Sequence, residues 1–175
     1  MLFTGFVPVL KIMEPKKVTF TGHRPDKISD TTKEMATLKD ALLKHLGDDL
    51  SIHTYIVGGC PGFDTTALKV LLACNVPKSQ IILAVPFRGF EKYAGFKHPK
   101  ENQESYDLNY SCGVKILEVG GKTGTFGQKC FIRNIYMVDN SNIIFTNWDG
   151  STGGTANTVK LALKKKMPIV NIREE

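Results

Sequence analysis

The 175-residue chain lacks the features that mark several classes of protein. No apolar run approaches the ~20 residues needed to span a bilayer, and the apolar residues 1–9 have neither a basic region nor a small-residue cleavage site beside them. The four cysteines are widely spaced, without a Cys-x-x-Cys pair or a histidine at ligand spacing. That spacing argues against a zinc site and a secreted disulfide scaffold. We therefore expect a cytoplasmic protein with free thiols, no metal and no cofactor.

Two common nucleotide-binding signatures are also missing. The chain has no Gly-x-x-x-x-Gly-Lys-Ser/Thr segment, which holds phosphates in many nucleotide hydrolases and kinases. Its glycines do not have the Gly-x-Gly-x-x-Gly spacing of the dinucleotide fingerprint. These absences exclude a nucleotide-dependent phosphotransferase of the usual kind.

Positive charge is in excess but spread along the chain. The formal charge of +6 and a pI near 9.1 would suit nucleic acid. The one basic run, residues 164–166, closes a predicted helix, where lysines complement the helix dipole and its free carbonyl groups. We interpret that run as a solvated helix end. Because the remaining positive charge is spread along the chain, we expect that nucleic acid is not a partner.

Strand-like apolar runs alternate with helical patterns along most of the chain. Strands are predicted at 17–21, 54–57, 80–85, 114–119, 142–146 and 168–172. Helices are predicted at 31–46, 63–75, 131–138 and 155–166, and the polar, aromatic-bearing stretch 88–110 predicts an irregular loop plus a helix. Because right-handed crossovers permit little else, this order predicts an α/β protein with a mostly parallel sheet and helices on both faces. We expect one domain at residues 17–175, preceded by an N-terminal extension at residues 1–16.

Glycine-bearing turns follow two of the predicted strands and open two of the predicted helices. We name residues 58–64 (Gly-Gly-Cys-Pro-Gly-Phe-Asp) the first elbow and residues 150–155 (Gly-Ser-Thr-Gly-Gly-Thr) the second elbow. Glycine permits positive φ and close approach, and the first turn of a helix offers unpaired N–H groups to an anion. A third polar turn, residues 21–26, follows the first strand, and parallel strands bring such turns to one edge. The pattern favours a shared phosphate cleft over plain turn chemistry.

Several side chains in or near these turns, and Arg133 in a predicted helix, have two interpretations. Asp64 could cap its helix or accept a hydrogen bond from a ribose hydroxyl. Trp148 could stack on a base or pack at the rim of the site. Arg133, among apolar neighbours, needs an anionic partner if it faces inward, and otherwise snorkels to the surface. His23 and Arg24 combine a titratable imidazole with a guanidinium that can hold phosphate through two hydrogen bonds. Arg24 could instead form a surface ion pair with Asp26.

Taken together, five segments resemble the SLOG superfamily, and most closely its YpsA-like branch. That branch is related to LOG-type nucleoside-monophosphate phosphoribohydrolases and to the Rossmann core of DprA-type DNA-processing proteins. The segments are Thr-Gly-His-Arg-Pro at 21–25, Gly-Gly-x-x-Gly-x-Asp at 58–64, Val-Pro-Phe at 85–87, Arg-Asn-x-x-Met-Val-Asp-x-Ser at 133–141 and Gly-Gly-Thr-x-x-Thr at 153–158. The resemblance covers about residues 17–172. It implies a modified Rossmann fold that binds a nucleotide or a nucleotide-derived ligand.

The turns and the resemblance together supply the candidate site residues. The ligand-binding candidates are Thr21, Gly22, His23, Arg24, Gly58, Gly59, Gly62, Asp64, Pro86, Arg133, Trp148, Gly153, Gly154, Thr155 and Thr158. In LOG-type enzymes an arginine and a glutamate act on the N-glycosidic bond. Arg133 matches that arginine, but Thr158 stands at the glutamate position, so hydrolysis would need Asp64 or Asp149 near the sugar.

Three functions follow as hypotheses. The first is a sensor or sequestering protein for a nucleotide-derived small molecule, such as an ADP-ribose-like or NAD-derived compound or a nucleoside phosphate. The second is an N-glycosidase on a nucleoside monophosphate or NAD-like compound, with Arg133, Asp64 and Asp149 as tentative catalytic residues. The third and weakest is DNA binding of the DprA type. Whether the chain is an enzyme stays open at this point. Apolar residues outside the core pattern, namely Leu2, Phe3 and Phe6, indicate a homo-oligomeric contact.

Overall fold

Strands and helices alternate along the chain in a computed structural model that describes residues 14–27, 31–95 and 101–174. The strands are β1 (Lys17–Gly22), β2 (Thr54–Val57), β3 (Ile81–Val85), β4 (Lys115–Glu118), β5 (Ile143–Asn147) and β6 (Ile169–Asn171). The helices are α1 (Thr31–Leu46), α2 (Phe63–Ala73), α3 (Phe90–Gly95), α4 (Glu101–Ser111), α5 (Phe126–Asp139) and α6 (Gly154–Lys164). Most of the predicted N-terminal extension, including Leu2, Phe3 and Phe6 with their predicted homo-oligomeric contact, lies outside the described residues.

All six strands are parallel and pair in the order β4-β3-β2-β1-β5-β6. The chain moves outward from β1 to β4 and then returns, so that β5 pairs with the other side of β1. Strand order therefore reverses between β1 and β5, and ligands of such sheets bind at the carboxyl ends of the strands beside this reversal. The prediction of a Rossmann-like α/β fold with a parallel sheet is confirmed.

Helices cover both faces of the sheet because each central strand sends alternate apolar side chains to opposite sides. On β2, Tyr55 and Val57 belong to the large core that includes α1 and α2, whereas Ile56 packs against Met137 of α5. On β5, Phe145 joins the large core, and Ile144 packs with Val138 of α5 and Ala162 of α6. The α1–α2 face and the α5–α6 face are thus two separate surfaces of the molecule.

The stretch 88–110 contains two helices where the sequence predicts a loop plus one helix. Phe90 of α3 and Tyr106 of α4 are fully buried and pack with Cys60 of the first elbow. Asn109 of α4 donates through Nδ2 to Oγ1 of Thr65, 3.1 Å away. The pair α3–α4 therefore covers the first elbow from outside the sheet. No helix within residues 14–27, 31–95 and 101–174 is long and apolar enough to cross a membrane.

Candidate functional site

A polar cavity of about 270 Å³ lies at the carboxyl ends of β1, β2 and β5, beside the reversal of strand order. Its walls include nine of the predicted ligand-binding residues: Thr21, Gly22, His23, Arg24, Asp64, Arg133, Gly153, Gly154 and Thr155. Seven further residues line it, namely Asp26, Lys27, Cys60, Pro61, Asn134, Ser151 and Thr152. The predicted residues that do not line it are Gly58, Gly59, Gly62, Pro86, Trp148, Asp149 and Thr158. We call this cavity the cleft.

Arg133 enters the cleft from α5 and faces inward, with 7% of the residue exposed. Its Nη1 donates to the carbonyl oxygen of Gly58, its Nε donates to Oδ1 of Asn134 at 2.8 Å, and its Nη2 lies 3.6 Å from Sγ of Cys60. Burial opposes the charge, but Cys60 and Asp64 raise the pKa of Arg133 above its ordinary value. The cleft wall therefore carries a permanent, nearly buried positive charge.

Gly58 makes room for that charge without lining the cleft. A Cβ atom at this position would collide with the guanidinium of Arg133 and would stand 2.6 Å from Oδ2 of Asp64. Only glycine lets these two side chains approach the backbone so closely. Its effect on a ligand would therefore be indirect, through the placement of Arg133 and Asp64.

Asp64 is the buried carboxylate of the cleft, with 9% of the residue exposed. Its Oδ2 accepts a hydrogen bond from the Cys60 N–H at 3.1 Å, so the side chain bridges the two ends of the first elbow. Burial raises the pKa of Asp64 above its ordinary value, while Arg133, the Cys60 N–H and Arg24 partly oppose that rise. The cleft thus contains a carboxyl group that takes up a proton more readily than an exposed aspartate does.

The two elbows differ in how many N–H groups they leave open. In the first elbow the Cys60 N–H goes to Asp64, and the Phe63 N–H donates to the carbonyl oxygen of His23 at 3.1 Å. In the second elbow Gly153, Gly154 and Thr155 line the cleft at the start of α6, where the first N–H groups have no acceptor within the helix. The second elbow is therefore the better anion site, although the glycine patterns look alike in sequence.

Side chains fix the shape of the second elbow. The indole N–H of Trp148 donates to the carbonyl oxygen of Ser151 at 2.8 Å, and Oγ1 of Thr155 donates to the carbonyl oxygen of Gly22 at 2.9 Å. The Ser151 N–H donates to Oδ1 of Asp149 at 2.9 Å. The bonds from Ser151 hold the pKa of Asp149 below its ordinary value. Trp148 and Asp149 thus build the turn rather than line the cleft.

The turn after β1 is fastened to the second elbow by His23 and Lys27. The Asp149 N–H lies 3.0 Å from Nε2 of His23, and Oδ1 of Asp149 lies 2.8 Å from the same nitrogen. That nitrogen accepts from the amide when it is unprotonated and donates to the carboxylate when it carries a proton. Nζ of Lys27 donates to Oγ of Ser151 at 2.9 Å and lies 3.5 Å from Oδ2 of Asp149. Lys27 therefore brings a second cation to the mouth of the cleft.

Arg24 supplies a further guanidinium at the same turn. Cys60 contributes most to raising the pKa of Arg24, and Tyr106 and Asp64 add to the rise. The backbone of Arg24 lies against Gly62 of the first elbow, and the residue lines the cleft. Arg24, Lys27 and Arg133 surround one cavity whose lining carboxylates, within the described residues, are Asp26 and Asp64.

Thr158 leaves the LOG-type glutamate position without a carboxylate. The residue is 1% exposed, and its hydroxyl donates to the carbonyl oxygen of Gly154 at 3.0 Å. It braces the first turn of α6 and does not reach the cleft. Within the described residues, no group of three or more His, Cys, Asp or Glu side chains is arranged to hold a metal ion.

Most of the lining residues that sequence reasoning missed lie in or beside segments that it had selected. Cys60, Pro61, Ser151 and Thr152 lie inside the elbows, and Asn134 follows Arg133. Treating each turn as a continuous segment would have included them. Lys27 had no comparable signal, because its place at the cleft depends on a short helical turn, Pro25–Lys27, that follows β1.

No protein-family model matches the chain, and no curated protein matches it. A solved structure with a similar fold is that of DNA processing protein A from Helicobacter pylori, described for its unique single-stranded DNA binding mode. The TM-score is 0.57 at 19% sequence identity, and the match covers 89% of this chain and 64% of that one. The present chain therefore spans less than two thirds of its neighbour, and at this identity the likeness shows a common Rossmann-like fold.

This neighbour corrects the prediction against a nucleic-acid partner, which was wrong. That prediction used the spread of positive charge along the sequence as its criterion. A protein with this fold binds single-stranded DNA. Single strands are held by a groove that tracks the backbone and by exposed aromatic rings, so a few cations around one cleft are enough and a dense basic run is not required. Diffuse charge is therefore no argument against nucleic acid for this chain.

Proposed function

We propose that the cleft binds one nucleotide unit of single-stranded DNA through its phosphate. The observation that carries the proposal is the meeting of Arg24, Lys27 and Arg133 with the open first turn of α6 in one cavity. Backbone N–H groups at a helix start and nearby guanidinium groups are the donors that hold phosphate oxygens in proteins. A phosphate at the second elbow would meet both kinds of donor at once.

The size of the cleft limits what one copy of it can hold. Sites for whole small molecules occupy roughly 300–1,000 Å³, and the cleft, with about 270 Å³, lies just below that range. It would therefore take a phosphate with its sugar and leave the adjoining units outside. The fold shared with a protein that binds single-stranded DNA and the net charge of +6 support a polynucleotide as the source of that unit.

A free nucleotide-derived small molecule is the second candidate. The resemblance to the YpsA-like branch of the SLOG superfamily over residues 17–172 supports it, and with it a single SLOG-like domain at residues 17–175. The specific observation in its favour is the buried pair of Arg133 and Asp64, which could recognise a ribose hydroxyl beside a phosphate. ADP-ribose-like compounds and nucleoside monophosphates are the ligands that this candidate predicts.

Competition binding distinguishes the two candidates. Fluorescence anisotropy would measure the affinity for a labelled deoxythymidine oligonucleotide, with nucleoside monophosphates, NAD and ADP-ribose as competitors. We expect Arg24→Ala to weaken oligonucleotide binding by about tenfold or more, because a charge-assisted hydrogen bond is lost. Lys39→Ala, an exposed lysine of α1 on the opposite face of the sheet, is the control and should bind like the wild type.

Each outcome has a definite meaning. An oligonucleotide that binds and is displaced only weakly by the small molecules supports the main proposal. Tight binding of one small molecule with no oligonucleotide binding supports the second candidate, and mass spectrometry of that mixture would detect any release of free base. Binding of neither class, or oligonucleotide binding that Arg24→Ala leaves unchanged, would refute the cleft as the nucleotide site.

A further inference from the structure

A second groove lies between α5 and α6, and no predicted site residue belongs to it. It encloses about 640 Å³ and is lined by Phe131, Asn157, Lys160, Leu161, Leu163 and Lys164. We call it the α5–α6 groove. Phe131 is 44% exposed and Leu163 is 60% exposed, although both are large apolar side chains. The groove thus combines exposed apolar side chains with lysines along one line of α6.

The groove draws its lining from the same two helices, α5 and α6, that contribute to the cleft. Asn134 lines the cleft, and Phe131 lies one helical turn before it on α5. Gly154 lines the cleft, and Asn157 lies one turn after it on α6. Residues three apart on a helix are neighbours, so α5 and α6 each contribute adjacent residues to the cleft and to the groove. A strand bound in the cleft would therefore have the groove within reach along α5 and α6.

The charge of the groove has one sign. Lys160 and Lys164 are exposed on neighbouring turns of α6, and among the described residues no carboxylate lines the groove. In the part of the chain that the structure describes, neither lysine makes an ion pair, whereas Lys165 lies 2.6 Å from Oδ1 of Asp139. The lysines of the basic run at residues 164–166 therefore have different surroundings: Lys165 pairs with Asp139, and Lys164 lines the groove.

We propose that the α5–α6 groove holds a second segment of the single strand whose first unit occupies the cleft. Phe131 would stack with a base, and Lys160 and Lys164 would contact backbone phosphates. The two lysines are about 6 Å apart along the helix axis, comparable to the separation of successive phosphates in an extended strand. Aromatic stacking combined with a cationic track is how single strands are bound without sequence preference. This inference rests on the proposed function of the cleft.

The test compares two lengths of oligonucleotide, because only the longer one can reach from the cleft into the groove. Binding of deoxythymidine oligonucleotides of about 4 and about 12 nucleotides would be measured over a range of salt concentrations. The variants are Phe131→Ala and the double variant Lys160→Ala with Lys164→Ala. Lys39→Ala with Lys69→Ala, at exposed positions on α1 and α2, is the charge-matched control on the opposite face.

We expect both groove variants to weaken the longer oligonucleotide by roughly tenfold and to leave the shorter one unchanged. The double lysine variant should also reduce the slope of log K against log salt by about 1.4, since each phosphate contact with a single strand contributes about 0.7. Phe131→Ala should leave that slope unchanged, because it removes no charge. The control should match the wild type for both oligonucleotides.

Phe131→Trp provides a readout that does not depend on lost affinity. Its fluorescence should be quenched by the longer oligonucleotide, beyond any change in the signal from Trp148, when a base stacks on it. The inference is overturned if the groove variants keep the wild-type affinity and slope for the longer oligonucleotide while Arg24→Ala weakens both lengths. That result would leave the cleft in place as a nucleotide site.

Two further outcomes also overturn it. If neither oligonucleotide binds, or Arg24→Ala has no effect on either, the proposed function of the cleft fails and the groove proposal fails with it. If sedimentation shows that Phe131→Ala converts a dimer into a monomer without changing oligonucleotide affinity, the groove is an interface between copies of this chain.

Discussion

At the scale of single residues, the cleft contains two charged groups that would have opposite effects on a bound phosphate. Arg133 is charged and nearly buried, and it approaches the same point above Gly58 as the carboxylate of Asp64. A phosphate would be attracted by the arginine and repelled by an ionised Asp64. The protonation of Asp64 therefore bears on both the stability of the fold and the charge that a ligand meets.

Asp64→Asn tests this balance through the pH dependence of stability. Burial raises the folded-state pKa of Asp64 above the ordinary value of 3.8, so the folded protein binds this proton more tightly than the unfolded chain does. The stability that this proton contributes is fully present below the unfolded pKa and is lost as pH rises through the folded pKa. We expect the wild type to gain melting temperature relative to Asp64→Asn as pH falls from about 7 to about 4.

Asp26→Asn is the control for that comparison, because Asp26 is an exposed carboxylate on the same cleft. Calorimetry or circular dichroism would follow the three proteins over the same pH range. A difference in melting temperature between the wild type and Asp64→Asn that stays constant with pH would show that Asp64 does not titrate as its burial requires.

At the scale of elements, the alternation of strands and helices could be predicted because each element carries its own apolar period. The start of α5 could not be predicted from that period. It begins at Phe126 rather than at residue 131, because Thr125 and Gln128 form a capping box. The helix α4 was predicted only loosely, since the apolar residues in this polar segment are too few to mark a face.

The candidate site was predicted in outline for the same reason. Its three turns follow strands, and the strand order brings them to one edge of the sheet. The difference between the two elbows was hidden, because it depends on which N–H groups Asp64 and the carbonyl of His23 have already taken. Such contacts between distant segments leave no local pattern in the sequence.

Gly62→Ala tests the first elbow as a structural element. Gly62 has a φ of +97°, and a Cβ atom there would meet the backbone of His23 and Arg24, which cannot move aside by changing rotamer. We expect this variant to lower the free energy of unfolding by about 1–3 kcal/mol, from urea denaturation. Gly127→Ala is the control, because no atom beyond its chain neighbours and its own helix backbone lies within 4 Å of a Cβ there, and alanine in α5 should be neutral or stabilising. If the two variants were equally stable, the backbone at position 62 would not require glycine.

At the scale of the whole molecule, the two faces of the sheet have different expected roles. The large apolar core joins α1 and α2 to the sheet. This one core includes most of the large side chains that are fully buried. The opposite face has smaller apolar clusters between the sheet and α5 and α6, and it carries the α5–α6 groove. We interpret the α1–α2 face as the stabilising side and the α5–α6 face as the side available to a ligand.

Hydrogen exchange over the whole chain checks this division. With a long oligonucleotide bound, we expect slower exchange in residues 21–27, at the start of α6 and in the part of α5 around Phe131. The physical reason is that open N–H groups of the second elbow acquire phosphate acceptors and that the groove is shielded from water. A mononucleotide should slow exchange at residues 21–27 and at the start of α6 alone. The exchange of α1 should stay unchanged in both cases, so protection concentrated in α1 would assign the nucleotide to the opposite face of the sheet.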